Sequence, residues 1–187
     1  YQLTSGNGIN AKVGVILLPA KWLRIGAAYH TKTRYTMSDY WNSNMSSTIS
    51  QGLEYEYSSP QGNYNYVLTT PSKFIGSLSM IIAKIGLVSV DYSRVDLRES
   101  SLLASRFQNS SYNFESENNM IDSSYSITHN LQFGTELKLG KFFMARAGYS
   151  IYQNPFNNID DPEFNRTSYS LGFGYRNKNY FFDIGYR

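Results

Sequence analysis

The chain has 187 residues, the size of a single domain, and a formal net charge of +3. This charge is too small to indicate binding to nucleic acid, and an aromatic content of 16% excludes a disordered chain. Because the chain has no cysteine, a disulfide scaffold, a zinc ribbon and a thiol nucleophile are excluded as well.

Alternating apolar and polar residues predict strands that are joined in pairs by short turns. Four pairs follow one another along the chain: 11–17 with 23–31, 74–82 with 88–92, 127–139 with 142–152, and 168–176 with 180 onward. Their turns lie at 19–21, 83–84, 140–141 and 177–178. The segment 64–82 is long for one strand, and its Pro71 predicts a bulge, an edge or a kink, because proline cannot donate a ladder hydrogen bond.

Longer segments rich in Asn, Ser, Asp and Tyr connect these pairs at 38–53, 99–125 and 153–167, and we expect them to be loops. Short turns at one end of the strands and long loops at the other are typical of outer-membrane barrels. Soluble sandwiches seldom show so consistent an asymmetry of loop length.

The two faces of the predicted strands differ in chemistry. The ionic residues of the polar face are Arg24, Lys32, Arg34, Asp91, Glu136, Arg146, Arg176 and Asp183, and they alternate with Gly26, Gly134, Gly148, Gly172, Gly174 and Gly185. A crowded aqueous lumen suits this mixture, whereas glycine weakens a strand that faces bulk water. The sequence therefore predicts an all-β, antiparallel transmembrane barrel of the bacterial outer membrane, with a soluble sandwich as the alternative.

About eight strands could close a small barrel or form an arc of a larger one. The first residues lack the features of a signal peptide, and the last seven stop within a strand-like alternation. We therefore expect a single partial barrel domain over 1–187, belonging to a longer protein.

Cations outnumber carboxylates on the polar face. The candidate ligand-binding residues are Arg24, His30, Lys32, Arg34, Arg146 and Arg176, with Lys138 as a further cation and Asp91, Glu136 and Asp183 as the carboxylates. A positive lumen attracts anionic amphiphiles such as fatty carboxylates, which Arg can bind through two parallel hydrogen bonds. Alternatively, Glu136 pairs with Arg146, and Asp183 with Arg176, so that the ions only neutralise the lumen.

The remaining candidates carry weaker signals. No base and nucleophile converge around His129, so we expect no enzyme activity. The acidic residues Asp160, Asp161 and Glu163 lack the spacing of a calcium loop, and we expect no metal and no cofactor. Nucleic acid is not an expected partner, because rings and cations lie on opposite faces. The loop aromatics, which could guide a hydrophobic ligand or contact another protein, are Tyr40, Trp41, Tyr55, Tyr57, Tyr64, Phe107, Tyr112, Phe114 and Phe156.

Three stretches of the chain carry a family resemblance. The first comprises 12–15, Pro19 and 22–29, and the second comprises Thr70 and Pro71 with the following hairpin, which ends in Asp91 and Tyr92. The third runs from 161–166 into 170–175 and 182–186. They resemble the FadL/TodX-type transporters of the outer membrane, a family that includes fatty acid transporters, toluene and xylene channels and proteins called hemin receptors. The resemblance implies the later strands of a 14-stranded barrel, without the N-terminal hatch and the early strands. It also implies passive diffusion of hydrophobic or amphipathic small molecules, with outer-membrane lipid as surroundings. Relatives of this fold also serve in type IX secretion, so a barrel subunit bound to another outer-membrane protein is the alternative.

Overall fold

The computed structural model of the chain describes residues 1–48, 54–83, 85–105, 112–157 and 164–187. These residues form antiparallel β-sheets with one short α-helix, which confirms the predicted all-β class. Their strands are β1 (Gln2–Ile9), β2 (Lys12–Ala20), β3 (Leu23–His30), β4 (Thr33–Trp41), β5 (Asn44–Thr48), β6 (Glu54–Ser58), β7 (Gly62–Thr70), β8 (Lys73–Ile82), β9 (Gly86–Asp96), β10 (Ser101–Ala104), β11 (Ile127–Leu139), β12 (Phe143–Tyr152), β13 (Arg166–Arg176) and β14 (Phe181–Tyr186). The helix α1 spans Glu115–Ser124, and a 3-10 turn spans Leu97–Glu99. No helix in the described ranges has the length and apolar composition needed to cross a bilayer.

Eight strands form the main sheet, in the order β14-β13-β12-β11-β9-β8-β3-β2. It contains the four predicted hairpins, β2 with β3, β8 with β9, β11 with β12, and β13 with β14. In the described part of the chain, β2 and β14 each pair on one side only, so both edges of the main sheet are open.

A second sheet, with the order β1-β4-β7-β10, continues four strands of the main sheet beyond an aligned row of interruptions. The interruptions fall at 10–11 before β2, at 31–32 after β3, at 71–72 before β8 and at 97–100 after β9. Pro71, where the sequence predicted a bulge, an edge or a kink within one strand, lies at a break between β7 and β8, and three neighbouring strands are interrupted at the same level.

The predicted loops contain more structure than expected. The sequence predicts a loop over 38–53, whereas β4 continues to Trp41 and a two-stranded sheet of β5 and β6 begins at Asn44. Segment 99–125 likewise contains β10 and α1. All residues of β5 and β6 are exposed. An alternating pattern marks only β6, where Tyr55 and Tyr57 alternate with Glu54 and Glu56.

The register keeps the two predicted faces of the main sheet separate, because directly opposed residues always share a face. One apolar row crosses five strands through Leu78, Val90, Phe133, Tyr149 and Tyr169. The adjacent polar row runs through Ser79, Ser89, Gly134, Gly148 and Ser170. A slip of one residue in any pairing would mix these rows.

The described residues bury almost no apolar core, since Val67 and Met144 are their only buried hydrophobic residues. The accessible surface is 14039 Å². A compact monomer of this mass would expose only about 9,100 Å². On the apolar face Leu17, Leu171 and Ile184 are 57%, 68% and 60% exposed. A sandwich would bury such a face against a second sheet, and no described strand covers it.

Candidate functional site

The polar face of the main sheet borders a hollow between β9 and β14, an open groove with a volume of about 640 Å³. Its lining includes Gly134, Gly148, Gly172 and Gly185 together with Ser89, Ser150 and Ser170. Because these side chains are absent or short, the backbone itself forms most of the floor. The charged groups that line the hollow are Asp91, Glu136, Arg146, Asp183 and Arg187.

Arg146 joins two carboxylates across the hollow. Its Nε lies 2.8 Å from Oε2 of Glu136, and its Nη1 lies 2.5 Å from Oδ1 of Asp183. The predicted pair of Glu136 with Arg146 is confirmed. The predicted pair of Asp183 with Arg176 is wrong, because the register places Arg176 opposite Phe181 and Asp183 opposite Gly174.

Two glycines of β13 allow Arg146 to reach Asp183 on β14. Arg146 lies directly opposite Gly172, whose missing side chain leaves room for the guanidinium to pass over β13. A Cβ atom on Gly174 would lie 2.6 Å from Oδ1 of Asp183. The alternation of glycine at these positions was visible in the sequence, but their role depends on the register of three strands.

Asp91 lies at the edge of the hollow next to β8. The Ser77 hydroxyl donates a hydrogen bond to its Oδ1 at 2.5 Å, and Gln132 lies opposite it on β11. Among the described residues, Asp91 takes part in none of the ion pairs within 4.0 Å. Asp91 is therefore a carboxylate of the polar face that a hydroxyl holds in place.

A row of three basic side chains crosses β2, β3 and β8 on the same polar face. Lys12 lies directly opposite His30, and His30 lies directly opposite Lys73. Within the described ranges, none of the three makes an ion pair. The two lysines flank the imidazole of His30 from opposite sides, so this basic row gathers two positive charges and several N–H donors at one level of the polar face. Sequence reasoning found His30 but missed the two lysines, because only the cross-strand register aligns them.

Small and apolar residues adjoin the basic row on the polar face. Gly14 lies opposite Ala28, and Ala28 lies opposite Ile75, two positions nearer the short turns. Arg24 lies farther along β3, opposite Ser79. On this part of the polar face, the basic row is therefore followed by small and apolar side chains on the side of the short turns.

Lys32 and Arg34 were predicted to continue this face. Lys32 lies in the interruption at 31–32, and Arg34 lies beyond it on β4. Arg34 belongs to the second sheet, opposite Ile9 and Thr69. Lys32 Nζ is 3.5 Å from Oε2 of Glu99. The interruption at 31–32 therefore separates these two cations from the main sheet.

The Glu99 side chain connects the segment that follows β3 with the segment that follows β7. Its Oε2 accepts hydrogen bonds from the amide and the hydroxyl of Ser72, at 3.3 and 2.9 Å. Burial raises the pKa of the Glu99 carboxyl, but these hydrogen bonds and the charge of Lys32 outweigh burial and leave the pKa below its ordinary value.

Several of the predicted loop aromatics meet on one face of the second sheet. The rings of Tyr64, Tyr66 and Phe114 lie at the corners of a triangle with centroid distances of 6.3, 5.9 and 6.1 Å. Tyr112 packs edge-on against Phe114 at 5.0 Å. Phe114 adopts a left-handed backbone conformation with φ of 54°, which is uncommon for a bulky residue. Tyr66 was not predicted as part of this group.

The other sequence candidates do not join these sites. His129 lies on the apolar face, where its Nδ1 is 2.7 Å from the Tyr92 hydroxyl. Phe156 stacks on Tyr125 at 5.4 Å. Phe107, Asp160, Asp161 and Glu163 lie outside the described residues. In the described ranges no three His, Asp or Glu side chains are grouped as a metal site requires.

Comparisons with known proteins leave the family open. No family model matches the chain, and no curated protein matches it. The resemblance to FadL/TodX-type transporters therefore stays a prediction from the sequence.

Proposed function

We propose that the chain forms part of the wall of an outer-membrane β-barrel that admits hydrophobic or amphipathic small molecules by passive diffusion. The exposed apolar face of the main sheet supports contact with lipid, since a patch of this size requires a cover. The hollow, glycine-rich polar face supports a lumen. The open edges at β2 and β14 fit an arc of a larger barrel, such as the 14-stranded barrel that the family resemblance implies.

The basic row of Lys12, His30 and Lys73 indicates the class of ligand that the polar face would bind. Lys12 and Lys73 place two positive charges on either side of His30, and an anion bound at this level of the polar face would balance them. A fatty-acid-like carboxylate supplies that anion, and charge-assisted hydrogen bonds to it are about twice as strong as neutral ones.

The residues beside the basic row suit the other end of such a ligand. An alkyl chain extending toward the short turns would contact Gly14, Ala28 and Ile75, which have no polar side chains. The polar face therefore accommodates a negative head and an apolar tail in adjoining rows. Arg146 is a weaker candidate for the head group, because Glu136 and Asp183 already occupy its guanidinium.

Uptake of laurate by liposomes that contain the full protein tests this function. The double variant Lys12→Gln/Lys73→Gln should lower the laurate rate by about tenfold, equivalent to about 1.4 kcal/mol, and leave the rate for dodecanol unchanged. Lys141→Gln, at the turn between β11 and β12, is the matched control and should change neither rate. Equal laurate rates for the double variant and the unaltered protein would contradict the assignment.

The second candidate function is a barrel subunit of an outer-membrane secretion or surface assembly. The β5 and β6 hairpin favours it, because Tyr55 and Tyr57 are 59% and 70% exposed on an otherwise polar strand. Tyrosine at such positions provides large contact area at low entropic cost. Purification of the full protein in a mild detergent distinguishes the two functions: a stoichiometric outer-membrane protein supports the assembly role, and a bound lipid or fatty acid supports transport.

A further inference from the structure

The aromatic cluster of the second sheet borders a separate pocket of about 600 Å³. Its lining comprises Asp39, Tyr64, Tyr66, Leu102, Tyr112 and Phe114. The lining thus consists of four aromatic rings, one leucine and one carboxylate. Among the described residues, no lysine and no arginine line it, in contrast to the basic row of the main sheet.

Three enclosed polar atoms in and beside this pocket have no hydrogen-bond partner within the part of the chain that the structure describes. They are Oδ1 of Asp39, the hydroxyl oxygen of Tyr64 and Oε2 of Glu117. Enclosed carboxylate oxygens are costly unless a donor or a cation satisfies them. Neither carboxylate takes part in the ion pairs of the described residues. The site therefore has negative charge that the described residues leave unbalanced.

Neighbouring groups hold the two carboxylates in place. The Tyr112 hydroxyl donates a hydrogen bond to Glu117, which lies on α1. The pKa of the Tyr66 phenol is raised, first by burial and then by the charge and hydrogen bonding of Asp39, so this carboxylate faces the ring cluster.

A second set of contacts fixes α1 against the second sheet. The Asn118 side chain accepts a hydrogen bond from the Leu102 amide at 2.8 Å and donates one to the Leu102 carbonyl at 2.9 Å. The Asn118 side-chain amide therefore hydrogen-bonds to Leu102 of β10 as the backbone of a neighbouring strand would. The helix start that carries Phe114 and Glu117 is thereby held beside Tyr64 and Tyr66.

We propose that this pocket binds an organic ammonium cation, such as a trimethylammonium group. Aromatic faces attract cations through their quadrupole, and they are the usual lining of sites for quaternary ammonium ions. Asp39 and Glu117 add the opposite charge, and Leu102 adds apolar contact for the methyl groups. Such a ligand is cationic, so this site is distinct from the anion-binding row proposed on the main sheet.

Titration of the full protein with choline tests the proposal. The protein is kept in a maltoside detergent, which carries no ammonium group, and saturation-transfer NMR of the methyl protons gives the affinity. The probe for comparison is 3,3-dimethylbutan-1-ol, which has the shape of choline without its charge. Choline should bind at least about tenfold more tightly, because only the cation gains from the rings and the carboxylates. Equal affinity of the two probes, or no binding of choline, would overturn the proposal.

Variants locate the binding. Asp39→Asn and Phe114→Leu should each weaken choline binding by at least about fivefold. Tyr40→Leu is the matched control, because Tyr40 adjoins Asp39 on β4 and lies on the opposite face. A loss of affinity in Tyr40→Leu equal to that in Asp39→Asn would place binding elsewhere. If Asp39→Asn does not fold, the comparison of choline with its neutral analogue still decides.

Phosphocholine distinguishes a free ammonium ion from a lipid head group. Its phosphate would bring negative charge close to Asp39 and Glu117, so it should bind more weakly than choline. Equal or tighter binding of phosphocholine would overturn the assignment to a free ammonium ion and indicate a phospholipid head group.

Discussion

The guanidinium of Arg146 on β12 lies 2.5 Å from the carboxylate of Asp183 on β14, although β13 separates the two strands. The contact is possible because β13 presents Gly172 and Gly174 beneath the arginine. Arg146 also contacts Glu136 on β11, so one side chain on β12 links β11 and β14 across a span of four consecutive strands. The ions on this part of the polar face therefore stabilise the main sheet.

Replacing Gly174 with valine should break this link. A Cβ atom would lie 2.6 Å from Oδ1 of Asp183, and displacement of the carboxylate would cost about 1–2 kcal/mol of unfolding free energy. Guanidinium titration of the protein in detergent measures the change. Gly185→Ala is the control, because its Cβ would approach nothing closer than 3.8 Å. Equal stability of the two variants would show that the bridge contributes nothing.

Arginine on the apolar face tests its contact with lipid. Leu131 and Phe173 lie on the apolar face, 37% and 43% exposed. If they face the middle of a bilayer, Leu131→Arg and Phe173→Arg should each cost about 2–4 kcal/mol. Gln132→Arg, on the polar face beside Leu131, should cost little. Folding titrations into lipid vesicles compare the free energies of folding of the three variants. If the three substitutions had similar effects, the assignment of the apolar face to lipid would be wrong.

Acid should weaken the junction between the two sheets through Glu99. Its carboxyl has a pKa below the ordinary value of 4.5, so its contribution to stability is present above that value and is lost as the pH falls through the lowered pKa. The side chain is 34% exposed, so the contribution should stay below about 1 kcal/mol.

Glu99→Gln should therefore be less stable than the unaltered protein at pH 7, and the difference should diminish as the pH falls below 4.5 and through the lowered pKa of Glu99. Thermal melts at a series of pH values measure it. Glu56→Gln, at an exposed position of β6, is the control and should leave the profile unchanged. A Glu99 difference that stays constant with pH would exclude a role for the ionised carboxylate.

The basic row should contribute to binding more than to stability. Lys73→Gln removes one of the two positive charges that flank His30, and because β3 separates the two lysines, we expect the stability of the fold without ligand to change by less than about 0.5 kcal/mol. The same variant should bind laurate more weakly. Denaturation with and without laurate measures both effects, and an equal stabilisation of the variant and the unaltered protein by laurate would contradict the assignment of the basic row.

The hairpins of the main sheet could be predicted because apolar alternation and short turns are local signals. Gly140, with φ of 78°, lies in the predicted turn between β11 and β12, where a residue with a side chain would be strained. An irregularity at Pro71 was predictable for a similar reason, since the missing amide hydrogen is a property of the residue itself.

The rest depends on register between strands that are distant in the chain. Lys12 and Lys73 are far apart in sequence, and their alignment with His30 follows only from two strand pairings. The partner of Asp183 was predicted as Arg176 because both lie near one turn, whereas two glycines open a longer route to Arg146. The second sheet was missed in part because its apolar residues, such as Tyr64 and Tyr66, mix with Asn and Thr.

The aligned interruptions at 10–11, 31–32 and 71–72 bear on how the protein opens. The described strands on either side of this level belong to separate hydrogen-bonded sheets. Amide protons of β1, β4, β7 and β10 should therefore exchange with deuterium as one cooperative unit, before those of the main sheet. The second sheet would then loosen as a whole while the strands of the main sheet remain hydrogen-bonded to one another.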